Sequence, residues 1–252
     1  MRVRRLLAWA LPGAPAAALV AVGAWLLTLP GGERQLAAFA TSLRGRTQSQ
    51  VQNVRLALAA LDGAEVEPGG EFSFTRTVGP WTRDRGYRKA PVSYSGDLTL
   101  DWGGGVCQAS STLYNAALLA GLPIGERHRH YWPASYVPPG RDAAVAYPST
   151  DLRFRNPLPA PVRISAHIEG ESLVVRLFSR ARPPRVAVHH ALLSVAAPTT
   201  VVRARATPAG QGVFRGQPGC EVAVYRVFAG PYPRRELVSH DTYPPQHRII
   251  WH

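Results

Sequence analysis

Apolar residues follow three regimes along this chain. From Leu6 to Leu29 no charged residue interrupts them, and about 20 apolar residues suffice to cross a bilayer core. From Glu33 to Leu61 breakers are few, and Leu36, Phe39, Leu43, Val51, Val54, Leu58 and Leu61 recur at rough helical spacing. This stripe predicts a helix leading away from the first segment, with the polar middle Arg44 to Gln52 as a stalk. Beyond residue 62 the pattern shortens and alternates.

Asp62-Gly63 and Pro68-Gly-Gly70 punctuate the chain, and Glu71-Phe-Ser-Phe-Thr75 alternates like a strand. Another extended piece is expected around Ala90 to Tyr94. Val106, Ala109, Leu113, Ala116, Ala117 and Ala120 then share one helical face, with Gly121 as a stop and Pro123 beyond it. After Ile124 the sequence turns to valine, proline and alternation, as in Val162-Arg-Ile-Ser-Ala and Leu173-Val-Val-Arg-Leu-Phe178, which predicts strands. The expected fold class is α+β: an N-terminal membrane anchor and helix, a mixed domain whose cysteine-initiated helix packs on an antiparallel sheet, and a β-rich C-terminus. The expected divisions are 1–32 (signal-anchor), 33–62 (helical stalk), 63–182 (central domain) and 183–252 (β-rich region).

Composition changes this picture little. With 252 residues, 46% of them hydrophobic, the chain can bury a core. The net charge of +13 rests on arginines scattered singly from Arg2 to Arg248, with Lys89 the sole lysine. Without a basic helix, zinc spacing or aromatic RNA-binding motif, nucleic acid is excluded as the expected partner. The one dense basic cluster, Arg2/Arg4/Arg5, directly precedes the apolar run. The positive-inside rule then keeps the N-terminus cytoplasmic and puts the globular part across the membrane. Pro12, Gly13 and Pro15 weaken the first part of the run, and Leu27-Thr-Leu-Pro-Gly-Gly is a poor cleavage site, so an uncleaved single-pass anchor is expected. In that oxidising setting Cys107 and Cys220 can pair, which would remove Cys107 from chemistry.

Cys107 is the centre of candidate chemistry. Gly103, Gly104 and Gly105 precede it and permit a tight turn with close approach of a ligand. At the first turn of a helix, free N–H groups and the positive dipole end stabilise a thiolate and can hold an oxyanion. The competing reading is a small thiol packed between helix and sheet. A nucleophilic cysteine needs a base and the base an orienting acceptor. Glu126-Arg-His-Arg-His130 places His128 and His130 at strand spacing, on one face, and Asp142 and Asp151 lie on later segments. His130 is preferred, since Tyr131-Trp132-Pro133 follows it, whereas Arg127 and Arg129 flank His128.

Each partner has a bland alternative: surface strand histidines, and turn-forming aspartates in Pro139-Gly-Arg-Asp and Pro148-Ser-Thr-Asp. Zinc held by Cys107, His128 and His130 lacks a recognised spacing, so neither metal nor cofactor is expected. Gln108, Ser110, Ser111, Thr112 and Asn115 form a polar stripe on the same helix, expected to bond to neighbouring strands; Ser110 and Ser111 lack a nucleophile-elbow motif. Trp102, Gly104, Gly105, Gln108, Ser111 and Trp132 are the candidate substrate contacts.

Gly70-Glu-Phe-Ser-Phe, Val78-Gly-Pro, Gly86-Tyr-Arg-Lys-Ala-Pro, Gly103-Gly-Gly-Val-Cys-Gln-Ala-Ser-Ser-Thr-Leu-Tyr-Asn-Ala, Glu126-Arg-His-Arg-His, Tyr136-Val-Pro-Pro-Gly-Arg-Asp-Ala and Asp151-Leu-Arg-Phe-Arg-Asn, in this order, closely resemble the VanW family, from about Gln50 to Phe178. The resemblance implies a bacterial cell-envelope protein linked to vancomycin resistance, and it makes residues 63–182 a VanW-like domain. It supplies no reaction. Longer relatives carry peptidoglycan-binding-like domains ahead of this block, where only the stalk-like helix stands here. The leading expectation is a cysteine-dependent amidase or transpeptidase acting on peptidoglycan peptides. The alternatives are a noncatalytic module that binds cell-wall peptide or glycan through aromatic surface, and a structural envelope scaffold.

Overall fold

The computed structural model describes residues 32–94, 97–203, 213–214 and 216–251. The expected anchor falls outside these residues. Among the described residues no helix is long and apolar enough to cross a membrane.

In chain order the elements are β1 (Arg34–Ser42), α1 (Gln48–Leu61), β2 (Glu65–Val66), β3 (Glu71–Ser73), α2 (Phe74–Val78), β4 (Lys89–Tyr94), β5 (Asp97–Trp102) and α3 (Val106–Leu119). Then follow β6 (Ile124–Glu126), β7 (Arg153–Arg155), β8 (Val162–Glu169), β9 (Ser172–Ser179), β10 (Val186–Ala196), β11 (Thr200–Arg203), β12 (Val213–Phe214), β13 (Gly219–Phe228), β14 (Arg234–Tyr243) and β15 (Arg248–Trp251). The expected α+β class holds in the coarser sense of a β-rich chain with three helices among the described residues.

The first half of the expected helix from Glu33 is a correction: Arg34 to Ser42 is strand β1. It pairs antiparallel with β9, at the edge of the sheet β1-β9-β8-β2. Ala37, Phe39 and Thr41 are buried in strand alternation. They lie opposite Leu177, Val175 and Leu173 of β9, which in turn oppose Ile164, Ala166 and Ile168 of β8. Leu36, Phe39 and Leu43 mimic helical spacing only if the small or polar Ala37 and Thr41 are left out of the pattern. Nor is the following segment a free stalk. Helix α1 starts with a capping box, in which Gln50 N–H donates to Thr47 Oγ1 at 3.2 Å and Thr47 N–H to Gln50 Oε1 at 3.0 Å. It buries Val54, Ala57, Leu58 and Leu61 in the main core.

Helix α3 is the buried axis of the molecule, packed on β1 and β9. It ends as the sequence predicts. Gly121 takes φ +74°, its N–H donates to Leu118 O at 3.1 Å, and Leu122 N–H donates to Ala117 O at 3.0 Å, a Schellman closure. The polar stripe serves both flanks. Gln108 Nε2 donates to Thr41 Oγ1 (3.0 Å) and Ser42 O (2.8 Å), and Thr112 bonds Thr41 at 2.9 Å. On the other side Ser110 donates to Ala143 O at 2.6 Å and Asn115 to Arg141 O at 2.7 Å.

After Pro184 the antiparallel sheet β10-β13-β14 and the small sheet β11-β15-β12 complete the described chain. The C-terminal strands dock on the central part: Arg226 Nη1 donates to Leu122 O at 2.6 Å, and Tyr243 is buried against the loop at Gly140, whose N–H donates to the Tyr243 hydroxyl oxygen at 2.9 Å.

Candidate functional site

The start of α3 is set by a turn that only glycine fits. Gly105 is the N-cap residue at φ +106°, and a Cβ there would lie 2.8 Å from Gln50 O. A Cβ on Gly104 would meet Pro91 O at 2.7 Å. Asn53 of α1 fastens the same turn, donating through Nδ2 to Arg88 O and Gly104 O at 2.9 Å each and accepting from Arg88 N at 2.8 Å. This corrects the expectation that Gly104 and Gly105 open the helix start to a ligand: backbone of α1 and β4 fills that space. What the turn achieves is placement of Cys107.

Cys107 is half-buried, and both it and Cys220 are free thiols. Its Sγ reaches Val145 O at 3.5 Å, and the His130 ring lies close enough to the thiol for each to shift the other's pKa. His130 Nδ1 lies 2.7 Å from Asp142 Oδ2, which leaves Nε2 for the thiol. The same Oδ2 accepts from His130 N–H at 2.6 Å. The other oxygen, Oδ1, accepts from Arg127 Nη2 at 2.9 Å and from the Tyr243 hydroxyl. With four donors on two oxygens, the buried carboxylate is saturated.

Electrostatics follow from this chain. Burial alone would push the Asp142 carboxyl up, but its bonds to His130 and the Arg127 charge hold it at about 2. Burial would lower the His130 imidazolium, yet hydrogen bonds to Asp142 and Cys107 outweigh it and lift the group to about 10. The Cys107 thiol, raised by burial, is drawn below its ordinary value by the His130 hydrogen bond and charge. Both shifts act in the direction that favours a thiolate beside an imidazolium. The Cys107 N–H, in the first turn of α3, has no backbone acceptor among the described residues, and the positive end of the helix dipole lies at the same turn.

The other candidates fall elsewhere. His128 does not share a face with His130: its side chain is 48% exposed and bonds Glu126 Oε1 at 2.8 Å. The chain leaves regular strand after Glu126, so period-two reasoning fails there. Asp151 is buried but bonds Ser73 Oγ at 2.5 Å, Thr75 N at 2.8 Å and Leu152 N at 2.9 Å, fixing the join between β3 and α2. Gln108 is buried against β1, as described above. Ser111 donates to Cys107 O at 2.7 Å and accepts from Ala143 N at 2.9 Å, supporting the helix start from within. Trp102 ends β5, with Lys89 Nζ 5.7 Å from its ring centroid. Trp132 forms an edge-on pair with Tyr131, centroids 4.6 Å apart. No cluster of three or more His, Cys, Asp or Glu able to hold a metal occurs among the described residues, and His128 stands apart from Cys107 and His130.

Sequence reasoning missed Arg127, Tyr136, Asp241 and Tyr243. Arg127 bridges Asp142 and Asp241, with Nη1 2.7 and 2.6 Å from the two Asp241 oxygens. Its position one residue before His128 was a signal, read only as a charged flank. The Tyr136 hydroxyl donates to Cys107 O at 3.2 Å, and its ring meets that of His130 edge-on at 6.5 Å. Tyr243 and Asp241 arrive from β14, and nothing near them in the sequence marks them.

Comparison with known proteins places this geometry in context. The model of the family described as VanW like protein matches residues 49–178, a stretch that contains Cys107, His130 and Asp142. The chain is 41% identical over 146 residues to YoaR of Bacillus subtilis, covering 58% of this chain and 48% of that protein. It is 30% identical over 141 residues to the vancomycin B-type resistance protein VanW of Enterococcus faecalis, covering 54% of this chain and 51% of that one. The chain thus spans about half the length of the curated relatives it matches. Among solved structures, a G5 domain of an IgA1 protease aligns with 28% of this chain and 90% of its own at 21% identity, and the G5 domain of HP0197 with 26% and 95% at 17% identity. Their TM-scores, 0.18 and 0.15, are those of distant likeness.

Proposed function

The chain belongs to the VanW-like family, and from that premise we propose that it is a cell-envelope enzyme of the thiol acyl-transfer class, an amidase or transpeptidase acting on peptidoglycan peptides outside the membrane. The observation that carries this reading is the continuous chain Cys107, His130, Asp142, with Asp142 itself held by Arg127 and Tyr243. The relative named as a vancomycin B-type resistance protein supports the envelope setting. The uninterrupted apolar run after Arg2/Arg4/Arg5 supports an N-terminal anchor and an extracytoplasmic globular part.

In this reading the Cys107 thiolate attacks a peptide carbonyl carbon, the new C–S bond forming as the carbonyl electron pair moves onto oxygen beside the Cys107 N–H. On collapse the C–N bond breaks, the His130 imidazolium gives its proton to the departing amine, and a thioester remains. Water or an acceptor amine then attacks the thioester, surrenders a proton to His130, and releases the acyl group, which restores the thiolate and imidazolium. Asp142 keeps His130 in the tautomer and orientation both steps require.

A second reading, a noncatalytic module binding wall peptide or glycan, is favoured by one observation: the Tyr131/Trp132 pair directly follows His130, and Tyr131 is 45% exposed. One measurement separates the two, the rate of Cys107 alkylation by iodoacetamide in folded protein across pH, with stem peptides assayed in parallel for a thioester adduct by mass spectrometry. The enzyme reading expects fast labelling near pH 6, where an ordinary thiol is protonated, its loss in His130→Ala, and an adduct absent from Cys107→Ala. Labelling that waits for unfolding, together with peptidoglycan binding undiminished in Cys107→Ala, would establish the second reading instead.

A further inference from the structure

We propose that Arg46 is a receptor for a substrate carboxylate, so that the peptide presented to Cys107 is recognised by a free acid group close to the bond attacked. The inference rests on the acyl-transfer reading above and adds a substrate class to it.

Arg46 lies in the turn between β1 and α1, anchored by its own N–H donating to Leu43 O at 3.0 Å. Its guanidinium sits over the Tyr136 ring, 5.1 Å from the centroid. Tyr136 in turn reaches the reacting groups, its hydroxyl donating to Cys107 O and its ring edge meeting His130. The centroid separations of 5.1 and 6.5 Å therefore put the cation within two to four extended residues of His130, each residue spanning about 3.5 Å.

What distinguishes Arg46 beside Cys107 is that it lacks an acidic partner and has a shielded Nε with no acceptor. Arg44, two positions earlier and exposed, pairs with Glu171; Arg127 holds Asp142 and Asp241; Arg163 holds Glu33; Arg226 holds Glu236. Among the described residues Arg46 has no such carboxylate, and its Nε is shielded from solvent with no acceptor. Burial draws the guanidinium pKa down, with Tyr136 only partly offsetting it. A partly desolvated cation with an unmade hydrogen bond is unfavourable unless something else supplies the acceptor. A planar guanidinium fixed on an aromatic face matches a carboxylate through two parallel N–H bonds. Two other arginines near the site also lack a carboxylate but find acceptors within the protein: Arg129 Nη1 donates to His130 O at 2.9 Å, and the buried Arg141 donates its Nε to Asn115 Oδ1.

The test compares two thiol reagents on folded protein, N-ethylmaleimide and 3-maleimidopropionate, which differ in a tethered carboxylate. The readout is the ratio of their rates with Cys107, so each variant is normalised to its own intrinsic thiol reactivity. Wild type is expected to favour the acid reagent about tenfold, Arg46→Lys to keep part of that preference, and Arg46→Gln to bring the ratio to about one. A ratio near one in wild type, or one unchanged in Arg46→Gln and Arg46→Lys, would overturn the assignment. Failure of the underlying acyl-transfer reading shows differently, as slow reaction with N-ethylmaleimide itself near pH 6 in wild type.

Discussion

Asp142 and Asp151 look alike by every bulk criterion and do different work. Their side chains are 1% and 3% exposed, both follow proline-containing turns, and both are held below the ordinary carboxyl range against the burial that would raise them. The difference lies in who donates to them. Asp151 receives Ser73, the N–H groups of Thr75 and Leu152, and Arg153, none of which changes protonation near neutrality. Asp142 receives Arg127, Tyr243 and His130, and His130 passes the effect to Cys107. A buried, ionised carboxylate is therefore a structural statement until one of its donors is itself a proton carrier touching a nucleophile.

The comparison is broken most severely by exchanging the charge. Asp142→Asn is expected to slow alkylation of Cys107 near pH 6 by about a hundredfold or more, the range set by misoriented or discharged histidine bases. Asp151→Asn should leave that rate constant within about twofold and lower stability by roughly 1–3 kcal/mol, the penalty for leaving buried donors without an acceptor. Parallel stopped-flow labelling and urea unfolding of the two variants would decide; equal labelling rates would erase the distinction.

The next effect is in pH. His130 is raised to about 10, so its stabilising contribution is complete below an unfolded value of about 6.5 and is lost as pH climbs through about 10. Asp142 is lowered to about 2, so its contribution is present above an unfolded value of about 3.9 and is lost as pH falls through about 2. Wild-type stability should thus lose ground at both ends, and Asp142→Asn should flatten the alkaline limb. An alkaline limb identical in the two proteins, measured by thermal melts, would contradict the assigned coupling.

A smaller change is expected from Tyr243→Phe, which removes one of the donors on Asp142 Oδ1 and leaves Arg127 on the other flank. Stability should fall by about 1–3 kcal/mol, with a several-fold slowing of Cys107 labelling if the hydroxyl helps hold the carboxylate in place. The smallest belongs to His128→Ala. Its partly exposed pair with Glu126 should contribute less than about 1 kcal/mol, and loss of labelling in that variant would show that the wrong histidine has been assigned.

Much of α3 was legible, because apolar periodicity and Gly121 speak the same language as the helix they specify. The preference for His130 over His128 rested on neighbouring aromatics; what separates the two in the structure is the end of β6 at Glu126, after which one histidine turns inward and the other stays out. Strand β1 was misread because alanine and threonine at 37 and 41 carry little hydrophobic signal yet are buried, Thr41 against Thr112 of α3. The glycines before Cys107 were assigned to a ligand, although what crowds them is Gln50, Ala90 and Pro91. Tyr243 and Asp241 were illegible in principle: their role arises from pairing and docking of β13 and β14, more than a hundred positions away from the residues they serve.

That docking makes the C-terminal strands something other than a passive appendage. The stretch matched by the family, residues 49–178, includes the thiol, its histidine and the aspartate, but the phenol oxygen on that aspartate and the counter-anion of Arg127 belong to β14. In the language of sub-global unfolding, whenever the β13/β14 hairpin opens as a cooperative unit, Asp142 loses a donor and Arg127 regains a free valence that competes for it. The alignment of Cys107, His130 and Asp142 then depends on the closing equilibrium of a hairpin that holds none of the three.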